Sequence, residues 1–390
     1  MSVTAAAGFS AGSVAAGLKA SGGLDLCVIV NEGPLSSVAA VFTSNRAQAN
    51  PILWSKQAIQ TGRARAIVLN SGGANCFTGP DGFQLTHATA EKAASLLEDC
   101  GAGDIQVCST GLIGDLLPAG SVLTGVEASL AKRDFSPEAG LDAAHAIMTT
   151  DSRAKTAITR ITTDHGVVTI GGMAKGAGML APGLATMLVV ITTDAVMESG
   201  ELDSALRNAT RVSFDRLDSD GCMSTNDQVT LMASGASGIS PETEAFRAAL
   251  LGVCRDLAMQ LLSDAEGSSH DIAIEVIQAA SEDDAVAVGR AVARSNLFKT
   301  AIFGNDPNWG RVLAAIGTVD AKGDVFDIDV SINGVRVCHA GGGDKPRGDV
   351  DLTPRDTLVF IDLVAGEHSA TIWTNDLTQE YVHENSAYSS

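Results

Sequence analysis

Aromatic residues are scarce in this sequence, whereas glycine is abundant. Phe, Trp and Tyr together make up 4% of the 390 residues, and 41 residues are glycine. A core with so few rings is built mainly from Ala, Val, Ile and Leu, and so many glycines indicate tight turns and close backbone contacts. Because 45% of the residues are hydrophobic, we expect a globular protein with well-buried cores rather than a disordered chain.

Basic residues are also few compared with acidic ones. The chain has 26 Lys and Arg against 46 Asp and Glu, which gives a formal net charge of −20 at pH 7. Binding to nucleic acid rests on basic side chains that neutralise phosphates. We therefore expect no nucleic-acid partner and favour chemistry on small molecules.

The sequence lacks long apolar runs and regularly spaced cysteines. No uninterrupted apolar stretch reaches the roughly 18 residues of a membrane-spanning helix, and the N-terminal segment has no basic region typical of a signal peptide. The seven cysteines show no CxxC spacing, so neither a disulfide framework nor a zinc site is indicated. We expect reduced thiols in a cytoplasmic protein that has no metal and no membrane contact.

Short β-branched runs and amphipathic segments alternate along the chain, which is typical of an α/β fold. The predicted strands are 25–31, 38–43, 65–70, 104–110, 228–234, 270–278, 324–337 and 356–374. The predicted helices are 81–100 (with Asp81 as a cap), 135–148, 201–214, 242–263 and 282–297. Further strands are predicted within 149–178, with turns at 164–166 and at Gly171–Gly172. No repeat and no low-complexity linker divides the chain, so any domains are expected to be closely docked.

The stretch GGMAKGAGMLAPGLATML (171–188) places Thr186 between a glycine-rich segment and an apolar run. A threonine hydroxyl is a poor nucleophile unless a base lies beside it, and a freed α-amino group can be that base. Attack of Thr186 Oγ on the Ala185 carbonyl would give an ester, and its hydrolysis would leave Thr186 as a new N-terminus. The amine of such a terminus has a pKa of about 7.7–8.0, which suits a general base. An ordinary residue at the edge of a strand is the alternative.

Two further segments carry groups that acyl transfer requires. CSTGLIGD (108–115) follows a predicted strand, and such a turn can aim a hydroxyl and a backbone N–H at a developing oxyanion. A helix cap formed by Ser109 or Thr110 is the alternative. In SDAEGSSH (263–270), Glu266 lies between a predicted helix and a predicted strand. It is either a carboxylate of the site or an ordinary charged residue on the surface.

Together these segments resemble blocks of the ornithine acetyltransferase (glutamate N-acetyltransferase, ArgJ) family, in the family's order. The blocks are LNSGGANCFTG (69–79), CSTGLIGDLLP (108–118), AIMTTD (146–151), GGMAKGAGMLAPGLATML (171–188), FDRLDSDGCMSTND (214–227), DAEG (264–267), FGNDPNWGRVLAAIG (303–317) and YVHENSAYSS (381–390). They extend over nearly the whole chain. The glycine-rich segment that ends in Ala-Thr-Met-Leu is the most specific of them.

The resemblance implies a layered α-β-β-α sandwich of the ArgJ and DmpA type. It also implies a precursor that cuts itself between Ala185 and Thr186 into an α chain (1–185) and a β chain (186–390). The implied activity moves acetyl from N2-acetylornithine to L-glutamate through an acetyl-threonyl enzyme, in cyclic arginine biosynthesis and without a cofactor. The α and β chains are expected to stay associated, as a heterotetramer of two α and two β chains or larger.

The family's functional residues match particular positions of this sequence. Thr186 matches the nucleophile, and Thr110 with Gly111 matches the pair that polarises the acetyl carbonyl. The positions that match substrate-binding residues are Thr149 (with Thr150 beside it), Lys175, Thr186, Glu266, Asn385 and Ser390. The alternative for Lys175 is a solvated cation in a loop. Asn385 and Ser390 lie in the C-terminal tail, which has to dock on the rest of the protein if they are to bind substrate.

Two positions depart from the family pattern. His270 stands where relatives often have a lysine, which puts substrate preference in question, and Ser390 replaces the common terminal threonine but keeps a hydroxyl. The turn NDPNWGR (305–311) is interpreted as structural, with Arg311 as a supporting candidate behind the site.

Three other functions remain open at this point. A bifunctional enzyme would also load acetyl from acetyl-CoA onto glutamate with the same threonine. An amidase or aminopeptidase with a self-generated N-terminal nucleophile would use water as the acceptor. An uncut, non-catalytic binding protein on the same fold is the third alternative, although it would have little reason to retain all of the matching site residues.

Overall fold

The structure, a computed structural model, describes residues 2–181 and 187–387. Ala185, Thr186 and Ser390 lie outside the described residues. The strands of the described part are β1 (Phe9–Val14), β2 (Leu26–Asn31), β3 (Ser37–Phe42), β4 (Ala66–Asn70), β5 (Ile105–Ser109), β6 (Lys155–Thr163), β7 (Gly166–Lys175), β8 (Leu188–Thr193), β9 (Gln228–Ala233), β10 (Asp271–Ala279), β11 (Asp329–Ile332), β12 (Val335–His339), β13 (Gly342–Gly343), β14 (Asp356–Asp362) and β15 (His368–Asn375). The helices are α1 (Asn50–Ala58), α2 (Gly79–Ala94), α3 (Ala119–Ala131), α4 (Pro137–Ala146), α5 (Ser199–Arg211), α6 (Thr243–Leu262), α7 (Glu282–Ala293), α8 (Asn296–Phe303), α9 (Trp309–Ile316) and α10 (Gln379–Ala387).

Two sheets pack face to face and form the centre of the molecule. The first has the order β1-β2-β4-β5 and the second the order β3-β9-β8-β7-β6. Strands β4 and β5 run parallel, as do β8 and β9, while the other neighbours are antiparallel. Residues such as Ile29 and Leu69 of the first sheet meet Met173 and Val190 of the second in one apolar cluster. Near-continuous burial along β2, β4 and β8 follows, because both faces of these strands are covered.

Helices cover the outer faces of both sheets. Helices α2 and α3 pack on the first sheet through residues such as Leu85 and Val126. Helices α5 and α6 pack on the second sheet, for example through Leu206 and Leu257. The four layers are therefore α-β-β-α, which confirms the fold that the resemblance implied.

A third sheet lies outside these four layers. Its strand order is β13-β12-β11-β14-β10-β15, and α7, α8 and α9 pack on one of its faces around a separate apolar cluster. Burial alternates along β10 and β14, because only one face of this sheet is covered. Within the described ranges no helix has the length and apolar character to cross a bilayer.

Most of the predicted elements are confirmed, with ends displaced by a few residues. Predicted helix 81–100 is α2, which begins earlier and ends at Ala94; Asp81 lies in its first turn and is not its cap. The predicted turn at Gly171–Gly172 is wrong, because both residues lie inside β7. A Cβ on Gly171 would lie 2.3 Å from the Ser2 carbonyl oxygen. Glycine is present there because the N-terminal segment crosses the strand closely, not because the chain turns.

Several elements have no counterpart in the sequence prediction, namely β1, β13, α1, α3, α8, α9 and α10. Helix α9 begins within the segment predicted as a structural turn, at Trp309, and the Asn308 side chain caps it by accepting from Arg311 N. The Arg311 guanidinium donates to the Leu297 carbonyl oxygen. Arg311 therefore joins α9 to α8 and does not support the candidate site.

Candidate active site

One open cavity of about 360 Å³ brings together all of the predicted site residues that the structure describes. Its lining contains Thr110, Gly111, Leu112, Thr149, Thr150, Lys175, Gly178, Met179, Asp220, Cys222, Glu266, Tyr381, Glu384 and Asn385. The predicted nucleophile Thr186, its neighbour Ala185 and the predicted tail residue Ser390 lie outside the described residues. Met187 is the first described residue after that gap.

The turn after β5 presents two donors to this cavity. Gly111 has φ of +123°, and a Cβ there would lie 2.6 Å from Gly73 N, so only glycine fits. Its N–H donates to no other described residue. The Thr110 hydroxyl oxygen accepts from Lys175 Nζ at 3.2 Å, which leaves the Thr110 O–H free to donate. The pair therefore supplies an N–H and an O–H, as an oxyanion site requires.

Hydrogen bonds from both halves of the sequence hold this turn. The Ser109 hydroxyl donates to Asn70 Oδ1 at 2.6 Å. The buried Asn226 amide donates to the carbonyl oxygens of Ala74 and Ser109 at 2.6 and 2.8 Å. Neither Ser109 nor Thr110 caps a helix, since α3 begins only at Ala119. The alternative of a helix cap is therefore wrong.

Lys175 is a buried cation at the end of β7. Its side chain is 2% exposed, and Nζ donates to Thr149 Oγ1 at 2.7 Å as well as to Thr110. Burial lowers the pKa of Lys175, and the nearby Asp151 carboxylate opposes that shift. The alternative of a solvated loop lysine is wrong. Lys175 instead orients two hydroxyl groups at the edge of the cavity.

Asp151 is the counter-charge that accompanies this lysine. It accepts from Gly176 N and from Lys155 Nζ, both at 2.6 Å, and from Thr149 N at 3.0 Å. Burial acts to raise the pKa of Asp151, but Lys175 and Lys155 outweigh it and lower the pKa overall. The ionised carboxylate thus holds the backbone at Thr149 and at Gly176, next to the two ends of the hydrogen bond from Lys175.

The opposite wall of the cavity is acidic. Glu266 Oε1 accepts from the Thr150 hydroxyl at 2.7 Å, and Oε2 accepts from the Asn385 amide at 2.9 Å. Asp220 and Glu384 also line this wall. Burial raises the pKa of both, and the charge of Glu266 adds to the effect. Three carboxyl groups in one cavity favour a cationic ligand.

The neighbouring threonines at 149 and 150 have different contacts. Thr149 meets Lys175, whereas Thr150 meets Glu266. Both line the cavity, so either threonine is in a position to contact a bound substrate.

The C-terminal helix α10 docks on the cavity and supplies Asn385. Gly267 permits the contact: its φ is +61°, and a Cβ there would lie 2.2 Å from Tyr381 N. The Thr378 hydroxyl donates to the Gly267 carbonyl oxygen at 2.6 Å just before the helix. Helix α10 therefore contacts the Glu266 side chain through Asn385.

His270, which stands at the lysine position of the family, lies behind the cavity wall. The ring is 6% exposed. Its Nδ1 lies 2.9 Å from Asp376 Oδ2 and its Nε2 lies 2.9 Å from the Leu352 carbonyl oxygen. Both ring nitrogens therefore lie within hydrogen-bonding distance of an acceptor oxygen. His270 joins the start of β10 to the residues that lead into α10.

The sequence analysis did not identify several residues of the cavity lining, among them Asp220, Tyr381 and Glu384, nor Asp151, which lies behind Lys175 and Thr149. Asp151 and Asp220 lie within family-like blocks, but nothing in their spacing distinguishes them from surface carboxylates. Tyr381 and Glu384 belong to the terminal block, where only Asn385 and Ser390 were singled out. Among the described residues, no group of three His, Cys, Asp or Glu side chains has the arrangement of a metal site.

A layered α-β-β-α sandwich whose cavity presents an N–H and an O–H donor together with several carboxyl groups has the groups that an acyl-transferring enzyme needs. Comparison with known proteins agrees. The model of the ArgJ family matches residues 10–390. The arginine biosynthesis bifunctional protein ArgJ of Streptomyces coelicolor is 60% identical over 390 residues, with 100% of both chains covered. That of Mycobacterium leprae is 53% identical over 392 residues, covering 100% of this chain and 96% of the relative.

The chain therefore belongs to the ArgJ family, and it is an acyltransferase of arginine biosynthesis. Similar solved structures include a crystal structure of ornithine acetyltransferase complexed with ornithine from Mycobacterium tuberculosis. That protein is 51% identical, and the match covers 48% of this chain and 96% of that one with a TM-score of 0.45.

Proposed function

We propose that this protein transfers acetyl from N2-acetylornithine to L-glutamate in two half-reactions, with acetyl-Thr186 as the intermediate. The observation that carries the proposal is the arrangement of one cavity, which has the donors of Thr110 and Gly111 on one side and the Glu266 carboxylate on the other. In an N-acetylated amino acid with a side-chain ammonium group, the acetyl carbonyl matches the two donors and the ammonium group matches the carboxylate. The names of relatives as arginine biosynthesis proteins support the same substrates.

The proposed chemistry begins with the free α-amine of Thr186, which takes the Oγ proton as Oγ attacks the acetyl carbonyl. The Thr110 hydroxyl and the Gly111 N–H stabilise the oxyanion. The α-amine of Thr186 then passes this proton to the departing nitrogen of ornithine. In the second half-reaction the amine of glutamate attacks the acetyl-threonine ester, and the same proton transfers run in reverse. Every proton is returned, so the exchange needs no cofactor.

Self-cleavage between Ala185 and Thr186 supplies that amine in this proposal. The resulting α chain (1–185) would provide Thr110, Gly111 and Lys175, and the β chain (186–390) would provide Thr186 and Glu266. Burial between the two halves supports their staying together, since the sheet β3-β9-β8-β7-β6 contains strands of both and the apolar cluster between the two packed sheets contains residues of both. The proposed assembly contains two α and two β chains or is larger.

Substrate recognition follows from the charges of the two walls. Glu266 is held by Thr150 and Asn385, so its carboxylate is prepared to receive the ammonium group of ornithine. Asp220 and Glu384 add negative potential around it. Asn385 and Ser390 are the tail positions proposed to contact the bound amino acid.

Isotope exchange tests the proposal. The purified enzyme, N2-acetylornithine and labelled ornithine are incubated without glutamate, and label is followed into N2-acetylornithine. A two-step route through an acetyl-enzyme predicts exchange, and added glutamate should then yield N-acetylglutamate. Absence of exchange while acetyl still passes to glutamate would contradict the acetyl-enzyme. Release of acetate as the main product would favour the hydrolase alternative.

A second candidate is the bifunctional enzyme, which also makes N-acetylglutamate from acetyl-CoA. The word bifunctional in the names of the relatives favours it. The test is formation of N-acetylglutamate from acetyl-CoA and glutamate alone, with a Thr186→Ala variant as the control. No product at high enzyme concentration would remove this second activity.

A further inference from the structure

A second cavity, of about 290 Å³, adjoins the active-site cavity at the oxyanion turn. Gly111, Leu112 and Thr149 line both cavities. Most of the remaining lining belongs to the loop 15–25, which joins β1 to β2. Of the described residues that line this second cavity, only Lys19 carries a charge. A ligand whose reacting carbonyl lies at Gly111 can therefore extend towards a cation on this side.

The Lys19 ammonium group has donors to spare. The side chain is half-buried, and Nζ donates to the Leu24 carbonyl oxygen at 2.9 Å. An ammonium group has three donors, and no other described residue accepts from this one. The Asp25 carboxylate in the same loop accepts instead from the backbone N–H groups of Ala16, Leu18 and Lys19, at 2.6, 2.6 and 3.1 Å. Lys19 is thus available to a ligand in the second cavity.

Close backbone contacts hold the loop 15–25 beside the oxyanion turn. Gly72 has φ of +102°, and a Cβ there would lie 2.4 Å from the Leu18 carbonyl oxygen. A Cβ at Gly111 would in turn lie 2.7 Å from the Gly72 carbonyl carbon. Only glycine permits both approaches. Lys19 is therefore positioned before any ligand binds, which reduces the entropy lost on binding.

The charges around Lys19 favour an anionic ligand. Burial lowers the pKa of Lys19, the Asp25 carboxylate opposes that shift, and the Lys175 charge lowers the pKa further. The two lysines are thus close enough for their charges to interact. Lys175 is accompanied by Asp151 and donates to two threonine hydroxyls, whereas Lys19 has no ion pair within the described ranges. A carboxylate bound at Lys19 would supply the missing counter-charge.

The two amino acids of the proposed transfer carry opposite charges on their side chains. Ornithine has an ammonium group there and glutamate has a carboxylate. The wall with Glu266, Asp220 and Glu384 suits the ammonium group and repels the carboxylate. Both amino acids nevertheless have to place their reacting nitrogen at the same acetyl carbonyl. Glutamate therefore needs a cationic group within reach of the oxyanion turn and apart from the acidic wall.

We propose that the second cavity receives the side-chain carboxylate of the glutamate acceptor and that Lys19 Nζ donates to it, an inference that rests on the proposed function. The acetyl donor and the acceptor then share the oxyanion turn, and their side chains occupy different cavities. Ornithine extends towards Glu266, and glutamate extends towards Lys19. Lys19 accordingly acts in the second half-reaction and not in the first.

Steady-state kinetics test this division, because kcat/KM for each substrate of a two-step exchange reports the half-reaction that this substrate enters. The inference predicts that Lys19→Met decreases kcat/KM for glutamate about 10- to 100-fold, while kcat/KM for N2-acetylornithine stays within about twofold of the wild type. An equal decrease for both substrates, or no decrease for glutamate, would overturn the inference.

A comparison of glutamate with glutamine as acceptors separates charge recognition from a merely structural role of Lys19. Glutamine keeps the length of the side chain without its charge, so Lys19→Met should lose most of the wild-type preference for glutamate. Lys19→Arg keeps the cation and should retain most of that preference. Loss of the bond to Leu24 alone would slow transfer to both acceptors alike, and an unchanged preference would overturn the inference.

Lys56→Met is the matched control. Lys56 is also half-buried with a pKa that burial lowers, but it lines neither cavity, so both kcat/KM values should stay near those of the wild type. Exchange of labelled ornithine into N2-acetylornithine distinguishes the two proposals. A wild type without exchange would contradict the proposed function itself, whereas normal exchange with unchanged glutamate kinetics in Lys19→Met would overturn only the role of Lys19.

Discussion

Replacing Gly178 with alanine is expected to displace the Glu266 carboxylate while leaving the fold intact. A Cβ at Gly178 would lie 2.6 Å from Glu266 Oε2 and 2.7 Å from both Oε1 and Cδ. These distances are far below a normal contact between carbon and oxygen. The obstructed atoms belong to the end of a flexible side chain, so the carboxylate rather than the backbone should move, by roughly 0.5–1 Å.

That displacement is enough to remove the bonds that aim Glu266 into the cavity. The carboxylate accepts from Thr150 at 2.7 Å and from Asn385 at 2.9 Å, and neither bond survives such a shift. A hydrogen bond to a charged group contributes about 1.5–3 kcal/mol. If the displaced Glu266 carboxylate no longer contacts the ammonium group of the acetyl donor, kcat/KM should decrease by about 10- to 100-fold.

The assay compares N2-acetylornithine with N-acetylnorvaline, which has the same carbon chain without the amine. The wild type should prefer the amine-bearing donor, and Gly178→Ala should lose most of that preference while its Tm stays within a few degrees. Gly200→Ala is the control, since its added methyl group meets no atom within 4 Å. An unchanged ratio of kcat/KM values in Gly178→Ala would refute the role assigned to Glu266.

Three further substitutions test other parts of the site and fold. Gly267→Ala should undock α10 and reduce acetyl transfer more than about 100-fold, because a Cβ would lie 2.2 Å from Tyr381 N; normal activity in a kinetic assay would contradict the docking. Lys175→Met should lower kcat about 100- to 1000-fold by freeing the Thr110 hydroxyl, and it should also lower Tm, since it removes one of the two lysines that compensate the buried Asp151 carboxylate; an unchanged kcat would oppose the role of Lys175. Burial raises the pKa of Asp218 from 3.8 to about 6, with Arg294 acting against it, so the native state holds a proton that the unfolded state releases and stability falls as pH rises through that window. As pH rises between these values, the free energy of unfolding of Asp218→Asn, measured with urea, should increase relative to that of the wild type by up to about 3 kcal/mol. Loss of the ion pair with Arg294 lowers the stability of the variant and offsets part of this gain. A difference between the two proteins that does not change with pH would refute the shift.

The alternation of strands and helices could be predicted because burial in this fold follows local patterns. Strands such as β2 and β4 are continuous apolar runs bounded by polar residues and turns, and α6 has clear helical spacing. The interior position of Gly171 could not be predicted, because its cause is the approach of Ser2 from a distant part of the chain. Helix α3 was missed for a similar reason: a Cβ on Gly125 would lie 2.8 Å from Ala16 Cβ, so a residue with poor helix propensity is retained for packing.

The candidate site was predicted mainly through resemblance, since its residues are separated by more than 270 positions. Thr110, Lys175 and Glu266 have unremarkable local contexts and meet only when the sheets pack. The burial of Lys175 in particular follows from the face-to-face sheets, because a lysine among glycines reads locally as exposed.

The mass of the denatured enzyme after brief exposure to N2-acetylornithine, with no acceptor present, tests the central claim most directly. The account predicts two chains cut between Ala185 and Thr186, with the second chain heavier by one acetyl group that fragmentation places on Thr186. Addition of glutamate before denaturation should remove that group. An enzyme that transfers acetyl as one uncut chain, or whose second chain never carries acetyl during turnover, would contradict the account.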